Sequence, residues 1–174
     1  MSPNVLFDQA QLLEAFSHFP SGVAAIAAQH HDEAHVIVAS SFSVGVSLEP
    51  PLAAFYVQRS SSTWPLLKQA QRLGVSILSA EQAAICYQLA GRNKKNRFKD
   101  VDLKTTDSGA IRLNNAAIWF ECSIHAVHEA GDHLAIQLRI HDLHTKTEQT
   151  PLVFHRSTFA HLQHSPTLAS QAAC

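Results

Sequence analysis

The sequence predicts a mainly β protein, an antiparallel barrel with α-helices at its periphery. Segments with strand character outnumber helical segments and follow one another as hairpins. From Ile118 to Ala126, and again from Leu134 to Ile140, apolar residues recur at every second position, as in strands with one buried face. Gly131-Asp132 separates these two runs as a hairpin turn. The later half of the chain therefore carries the clearest β signal.

The first half alternates strands with short helices. Apolar residues at helical spacing predict a helix over Phe7–Phe19, which Pro20 ends. A second helix is predicted over Trp64–Leu67, and Ser79–Gln82 has the pattern of a capping box that opens a third helix running to Ala90. The other predicted strands are Gly22–Gln29, His35–Val38, Leu52–Gln58, Leu73–Leu78 and Pro151–His155, the last followed by a turn of helix to Leu162.

Length and composition indicate one globular domain. The chain has 174 residues, of which 46% are hydrophobic and 16% charged, so it can bury a core and differs from disordered chains. We predict a single domain over residues 1–163 and a loose tail over residues 164–174, where the sequence is polar and small. The net charge of −1 creates no global field, so we expect neither a nucleic-acid partner nor a membrane partner.

Cysteine usage and the first residues predict a cytoplasmic protein. Three cysteines, Cys86, Cys122 and Cys174, are widely spaced and form no CxxC pair, which favours a reducing compartment. No signal peptide is recognisable, and no apolar run approaches the roughly 20 residues that span a bilayer. The twelve histidines form neither an HExxH motif nor a Cys/His quartet, so we expect no metal site.

The segment Ala39–Pro51 is unusual because it combines strand character with four serines. Buried hydroxyls cost free energy unless each finds a partner, and Gly45 would let a backbone or a flat ligand come close. Two interpretations stay open from this segment alone. Its serines either bond to neighbouring strands or form the bed of a polar, planar ligand.

Several other short motifs could carry chemistry. Arg59–Thr63 combines four hydroxyls with a helix start and would suit a phosphate, and Arg92–Lys99 holds five cations in eight residues. The alternative for the second motif is a solvated basic loop. Gly131-Asp132-His133 is either a plain turn or a turn that holds a histidine at a rim. Pro20-Ser21-Gly22 and His155-Arg156 similarly allow a structural or a ligand-binding interpretation. No GxGxxG, P-loop or GxSxG motif is present.

Taken together and in order, these motifs resemble the flavin reductase-like proteins, the short-chain NAD(P)H:flavin oxidoreductases. The resemblance spans Phe7 to Leu162, and each of its motifs is weak when taken alone. It rests on Phe19-Pro-Ser-Gly-Val23, Ser40-Ser-Phe…Val46-Ser-Leu-Glu-Pro-Pro51, Ser61-Ser-Thr-Trp64, Gln82, Asn96-Arg-Phe98, Gly131-Asp-His133 and Pro151-Leu-Val-Phe-His155. It implies a split β-barrel that binds FMN or FAD, uses NADH or NADPH, and forms a homodimer with flavin sites near the subunit interface. It also implies a partner monooxygenase that receives the reduced flavin.

The same resemblance implies roles for individual residues. His133 would be the catalytic residue that steers the nicotinamide. Flavin would be bound by Ser40, Ser41, Phe42, Ser43, Val46, Ser47, Ser61, Ser62, Thr63, Ser79, Gln82, Asn96, Arg97 and Phe98. The nicotinamide substrate would meet Pro20, Ser21, Asp132, His155 and Arg156.

Three departures from the family pattern carry structural expectations. Leu138 stands where a glycine is often found five residues after His133, which would narrow the pocket behind the hairpin. The serine strand is one residue longer than usual, so Gly45 is expected to mark a bulge. Ser157 and Phe159 replace the Gly and Tyr often found after His-Arg, which removes a phenol there. The expected function is hydride transfer from NAD(P)H to flavin, whose chemistry belongs to the cofactor. The alternative is a split-barrel protein that binds flavin or haem without turnover.

Overall fold

The computed structural model describes residues 8–163, and strands dominate it. Strands account for 49% of these described residues and helices for 17%, so the predicted mainly β class is confirmed. The helices are α1 (Gln9–Ser17), α2 (Trp64–Leu67) and α3 (Ala83–Ala90), with 3-10 turns at Ala80–Gln82 and Lys94–Asn96. The strands are β1 (Ser21–Gly22), β2 (Ala24–His30), β3 (Glu33–Ala39), β4 (Ser43–Leu48), β5 (Pro51–Gln58), β6 (Leu73–Ile77), β7 (Leu103–Thr105), β8 (Ile111–Leu113), β9 (Ile118–Ala130), β10 (His133–Thr145), β11 (Val153–His155) and β12 (Thr158–Ala160).

A seven-stranded antiparallel sheet is the centre of the fold. Its strand order is β3-β2-β6-β9-β10-β5-β4, and two small sheets, β1-β11-β12 and β7-β8, lie beside it. Ser41, just after β3, links the β3 end of this sheet back to β5. Its hydroxyl lies 3.1 Å from both the N–H and the C=O of Tyr56, accepting from the first and donating to the second. The arrangement is that of a split β-barrel, as predicted.

The position of strand β2 between two apolar layers explains why its residues are small and apolar. Residues 24–28 are all buried, because the strand packs on both faces. Ala24, Ile26 and Ala28 face the inner core with Phe55 and Ile136. Ala25 and Ala27 face an outer apolar layer that packs under α3. Alanines leave the space that this two-sided packing needs.

A hairpin turn and a β-bulge were predicted from the sequence and occur in the structure. The β9–β10 hairpin reverses at Gly131-Asp132, with Gly131 at a φ of +66°. In β4, Ser43 pairs with Ala54 and Ser47 with Leu52, so the register shifts between them. Gly45, at a φ of +72°, lies in this irregular stretch, which supports the expected bulge.

One element was predicted wrongly. The segment after His155 is the strand β12, which pairs with β11, and not a turn of helix. Arg156 and Ser157 adopt left-handed backbone angles, with φ of 49° and 61°, and reverse the chain as a two-residue hairpin turn. The sequence has no glycine at these positions, so the usual signal for this turn is missing. The expected tail, residues 164–174, lies outside the described residues.

Candidate active site

A polar cavity opens at the end of the barrel where β3 and β5 finish. Its volume is about 600 Å³. It is lined by Ile37, Val38, Ala39, Ser40, Ser41, Tyr56, Val57, Gln58, Ser60, Ser61, Ser62, Thr63, Lys94, Arg97 and His133. Seven of the predicted site residues are in this set, namely Ser40, Ser41, Ser61, Ser62, Thr63, Arg97 and His133. The fold therefore brings four separate segments of the chain to one place.

The charge of this cavity is positive. Lys94 and Arg97 are the cations among its lining residues, and no Asp or Glu is among them. The Nζ of Lys94 donates to the Ser62 hydroxyl at 2.8 Å. Arg97 is held by two backbone carbonyls, since its Nε donates to Gly91 at 2.8 Å and its Nη1 to Val36 at 3.0 Å. Burial lowers the pKa of Arg97, but a guanidinium stays charged at neutral pH. Such a set of donors suits an anion.

The loop after β5 places hydroxyls on the same wall as these cations. Ser61 Oγ accepts from the N–H of Trp64 at 3.2 Å, which fixes the entry into α2. The Ser61 hydroxyl can still donate its own proton to a ligand, because only its oxygen is used in this hydrogen bond. Thr63 is buried behind Ser61 and completes the wall.

His133 faces the cavity from the β9–β10 hairpin. It is the first residue of β10 and pairs with Gln58 of β5. Its Nδ1 lies 2.7 Å from Asp132 Oδ1, and its side chain is 35% exposed. The hydrogen bond from His133 lowers the pKa of the Asp132 carboxyl below its usual range. Asp132 itself is not among the lining residues.

A second, apolar pocket adjoins the polar cavity. Its volume is about 220 Å³, and it shares Val38 and Ser40 with the larger cavity. The remaining lining residues are Val23, Cys86, Tyr87, Ala90, Phe154 and Phe159. The Phe159 ring lies 5.0 Å from that of Tyr87 and 5.9 Å from that of Phe154, so the pocket has an aromatic wall. Burial raises the pKa of the Cys86 thiol, which keeps it neutral and a poor nucleophile.

Part of the predicted serine bed lies away from the polar cavity. Phe42 packs on the core, with its ring 6.3 Å from that of Phe120. Ser43 and Val46 are on the exposed edge strand β4. Ser47 lines a different cavity of about 380 Å³ near Leu143. The bulged strand thus turns away from the polar cavity after Ser41, and only Ser40 and Ser41 reach it.

Four more of the predicted flavin-binding residues also lie outside the lining of the polar cavity. Ser79 and Gln82 are buried, and the Gln82 side chain accepts from the Ser79 N–H at 3.0 Å and donates to the Asn114 carbonyl at 2.8 Å. The bond from the Ser79 N–H to the Gln82 side chain is one of the two hydrogen bonds of the predicted capping box, and it fixes the chain just before α3. Asn96 is exposed on its loop, and Phe98 packs against the outer apolar layer.

Four residues predicted to contact the nicotinamide lie together at the small β1-β11-β12 sheet. They are Pro20, Ser21, His155 and Arg156. Ser21 pairs with Phe154, which places these residues beside the apolar pocket and outside the lining of either cavity. Arg156 donates its N–H to the Ser17 carbonyl at 2.7 Å, and its guanidinium lies 3.2 Å from His18 Nδ1. Arg156 therefore ties the β11–β12 turn to the end of α1.

Several lining residues were not predicted as site residues from the sequence. Tyr56 and Gln58 are exposed at alternate positions of β5, so the period of two could have indicated them. Lys94 belongs to the basic run, but nothing in the run distinguishes it from its neighbour Lys95. Ser60 lies in the predicted Arg59–Thr63 motif but was not assigned to flavin, and Ile37, Val38 and Ala39 reach the cavity only through the fold.

Within residues 8–163, no group of three or more His, Cys, Asp or Glu side chains could hold a metal ion. Within the same range, no helix has the length and apolar character needed to cross a bilayer.

Comparison with known proteins identifies the family of this chain. The flavin reductase like domain matches residues 16–163. This chain belongs to the flavin reductase-like family. A flavin reductase from Pseudomonas putida is 31% identical over 141 residues, which cover 81% of this chain and 82% of that protein.

Solved structures of flavin reductase-like proteins superpose closely on this chain. Nitrilotriacetate monooxygenase component B from Mycobacterium thermoresistibile gives a TM-score of 0.88 at 25% identity, covering 95% of this chain and 93% of its own. The NADH:FAD oxidoreductase SgcE6 of Streptomyces globisporus gives 0.84 at 27% identity, covering 91% and 96%. Another structure of SgcE6 is a complex with NAD and FAD fragments. The family confirms the class of activity inferred from the motifs, an NAD(P)H:flavin oxidoreductase.

Proposed function

We propose that this chain binds FMN or FAD in the polar cavity and the adjoining apolar pocket, and reduces it with NADH or NADPH. The observation that carries the proposal is the carboxylate-free wall of Lys94, Arg97 and hydroxyls next to an aromatic pocket. A flavin nucleotide needs both parts, since it joins an anionic phosphate to a flat aromatic ring system. When bound, the flavin supplies the hydride acceptor, and that chemistry is the cofactor's own.

Different residues of the cavity would contact the phosphate, the ring system and the nicotinamide. Lys94, Arg97 and the hydroxyls of Ser61 and Ser62 would hold the phosphate, because they are the free or reorientable donors of that wall. Ser40 lies at the junction of the two cavities and would meet the polar edge of the ring system. His133 would orient the nicotinamide at the rim. Among the described residues, no strong acid or base lines the cavity, as expected for a reaction that depends on stacking and orientation.

We make two finer proposals on partners, one from the comparisons and one from the exposed surface. Several relatives are reductase components of monooxygenases, so we propose a partner monooxygenase that consumes the reduced flavin. We also propose a homodimer, since large apolar side chains are exposed on α1 and on the edge strand β4. The cytoplasmic location stays a prediction from cysteine usage, and the single domain over residues 1–163 is likewise kept as a prediction.

The test is flavin bleaching by NAD(P)H. The purified protein is supplied with FMN or FAD in turn. It is expected to catalyse oxidation of NADH or NADPH, and the blue absorption band of the oxidised flavin should disappear. His133→Ala should lower the rate of hydride transfer about 10- to 100-fold, the cost of a misplaced substrate, while flavin still binds. Wild-type protein that binds flavin without turnover would support the non-catalytic alternative. A Soret band in the purified protein would favour haem binding instead.

A further inference from the structure

We infer that Asp132 is a positioning residue that fixes the ring orientation and the tautomer of His133. The inference rests on the proposed function, because it assigns His133 a task at the rim of the cavity. It differs from the substrate contact predicted for Asp132 from the sequence, since Asp132 would act through His133.

The geometry of the Asp132–His133 pair supports this role. The Asp132 carboxylate is 92% exposed and outside the cavity lining, so it is poorly placed to touch a ligand. Its Oδ1 nevertheless lies 2.7 Å from Nδ1 of His133. An ionised carboxylate can only accept, so Nδ1 must carry the proton. In the neutral ring this leaves Nε2 bare, and Nε2 has no hydrogen-bond partner among residues 8–163.

The backbone of Asp132 is itself held in place. Its carbonyl accepts from the N–H of Arg59 at 3.0 Å. The Arg59 guanidinium also donates to Glu129 on the same hairpin at 2.7 Å. Arg59 directly precedes the Ser60–Thr63 wall, so one residue fixes the hairpin tip against the opposite side of the cavity. Asp132 is therefore a fixed point from which His133 can be oriented.

The direct test is the protonation pattern of the His133 ring. Imidazole ¹⁵N chemical shifts distinguish a protonated nitrogen from a bare one, and a His133→Gln spectrum identifies the His133 signals among those of the other histidines. In the wild-type protein, at a pH where the ring is neutral, Nδ1 is expected to be protonated and Nε2 bare. In Asp132→Ala the population should shift towards protonation at Nε2. An identical pattern in both proteins would overturn the inference.

Kinetics give a second readout. Asp132→Ala should lower kcat/KM for NAD(P)H about fivefold, the effect expected from the loss of one exposed hydrogen bond, with the KM for flavin nearly unchanged. Asp132→Asn keeps an oxygen that accepts from Nδ1 and should recover most of the loss. Asp107→Ala, an exposed aspartate in a turn away from both cavities, is the matched control and should behave as wild type. Equal loss in the Asn and Ala variants would contradict a positioning role.

The two proposals fail in different ways. If the wild-type protein does not oxidise NAD(P)H with either flavin, the proposed function is wrong, and the ¹⁵N spectra still decide whether Asp132 sets the tautomer. If the wild-type protein is active and the Asp132→Ala spectrum and rates match it, only the role of Asp132 is wrong.

Discussion

At the scale of single residues, the structure separates two neighbouring lysines of the basic loop. Both lysines are exposed, but Lys94 lines the polar cavity and bonds to Ser62, whereas Lys95 is not among the lining residues. Both lie in the same 3-10 turn and carry the same charge. They therefore form a matched pair for measuring what a single positioned cation contributes to flavin binding.

We expect Lys94→Gln to weaken FMN binding roughly fivefold at low salt. A partly exposed charge pair contributes about 1 kcal/mol or less, which corresponds to a factor of about five in affinity. Lys95→Gln removes the same charge without removing the contact and should change affinity much less. Titration of flavin fluorescence measures both variants, and the difference should shrink at high salt because screening weakens exposed charge pairs. Equal effects of the two variants would show that only the overall charge of the loop matters.

The chemical types at the site could be predicted from the sequence, but their selection could not. Serines, cations and His133 were indicated by their motifs. The distinction between Ser41 and Ser43, or between Lys94 and Lys95, depends on where a bulged strand leaves the cavity and which way a loop turns. These are tertiary facts, and no local pattern in one sequence encodes them.

At the scale of elements, the close packing of β6 against β8 depends on one glycine. A Cβ at Gly74 would lie 2.0 Å from the carbonyl oxygen of Ile111, a backbone atom. Gly74 is buried and pairs with Ala27 of β2 and with Glu121 of β9, so β6 is paired on both sides. The strand cannot shift to relieve the clash without disturbing its neighbours.

Gly74→Ala should therefore destabilise the fold by roughly 1–3 kcal/mol or more, the usual cost of forcing atoms into a packed interior. Gly22→Ala is the matched control, because a Cβ there meets nothing within 4 Å. Urea unfolding of the two variants measures the difference. A Gly74→Ala protein as stable as Gly22→Ala would mean that β8 can move away from β6 at little cost.

Prediction of the elements succeeded where local signals are strong. The period of two in β9 and β10, the Gly131 turn and the start of α2 were all found. The β11–β12 hairpin was missed because its turn uses Arg156 and Ser157 in left-handed angles without glycine. The strands β7 and β8 have three residues each, too short for any periodicity to show.

At the scale of the whole molecule, apolar surface remains uncovered in two places. Leu13 and Phe16 on α1, and Phe19 just after this helix, are at least 61% exposed. On the edge strand β4, Val44 and Leu48 are 59% and 89% exposed, with Leu143 of β10 nearby in the cavity beside that strand. An edge strand with exposed apolar side chains pairs readily with other chains unless something covers it. A second copy of the chain is the cover that we propose.

The protein is accordingly expected to behave as a dimer in solution, with twice the 19.0 kDa mass of one chain. Leu48→Glu and Phe16→Glu place a charge on each apolar surface in turn, and light scattering after size exclusion measures the mass of each variant. The variant whose surface lies in the interface should become monomeric, because burying an unpaired carboxylate costs far more than the lost apolar contact. If both variants remain dimers, neither surface forms the interface. A monomeric wild-type protein at working concentration would contradict the homodimer altogether.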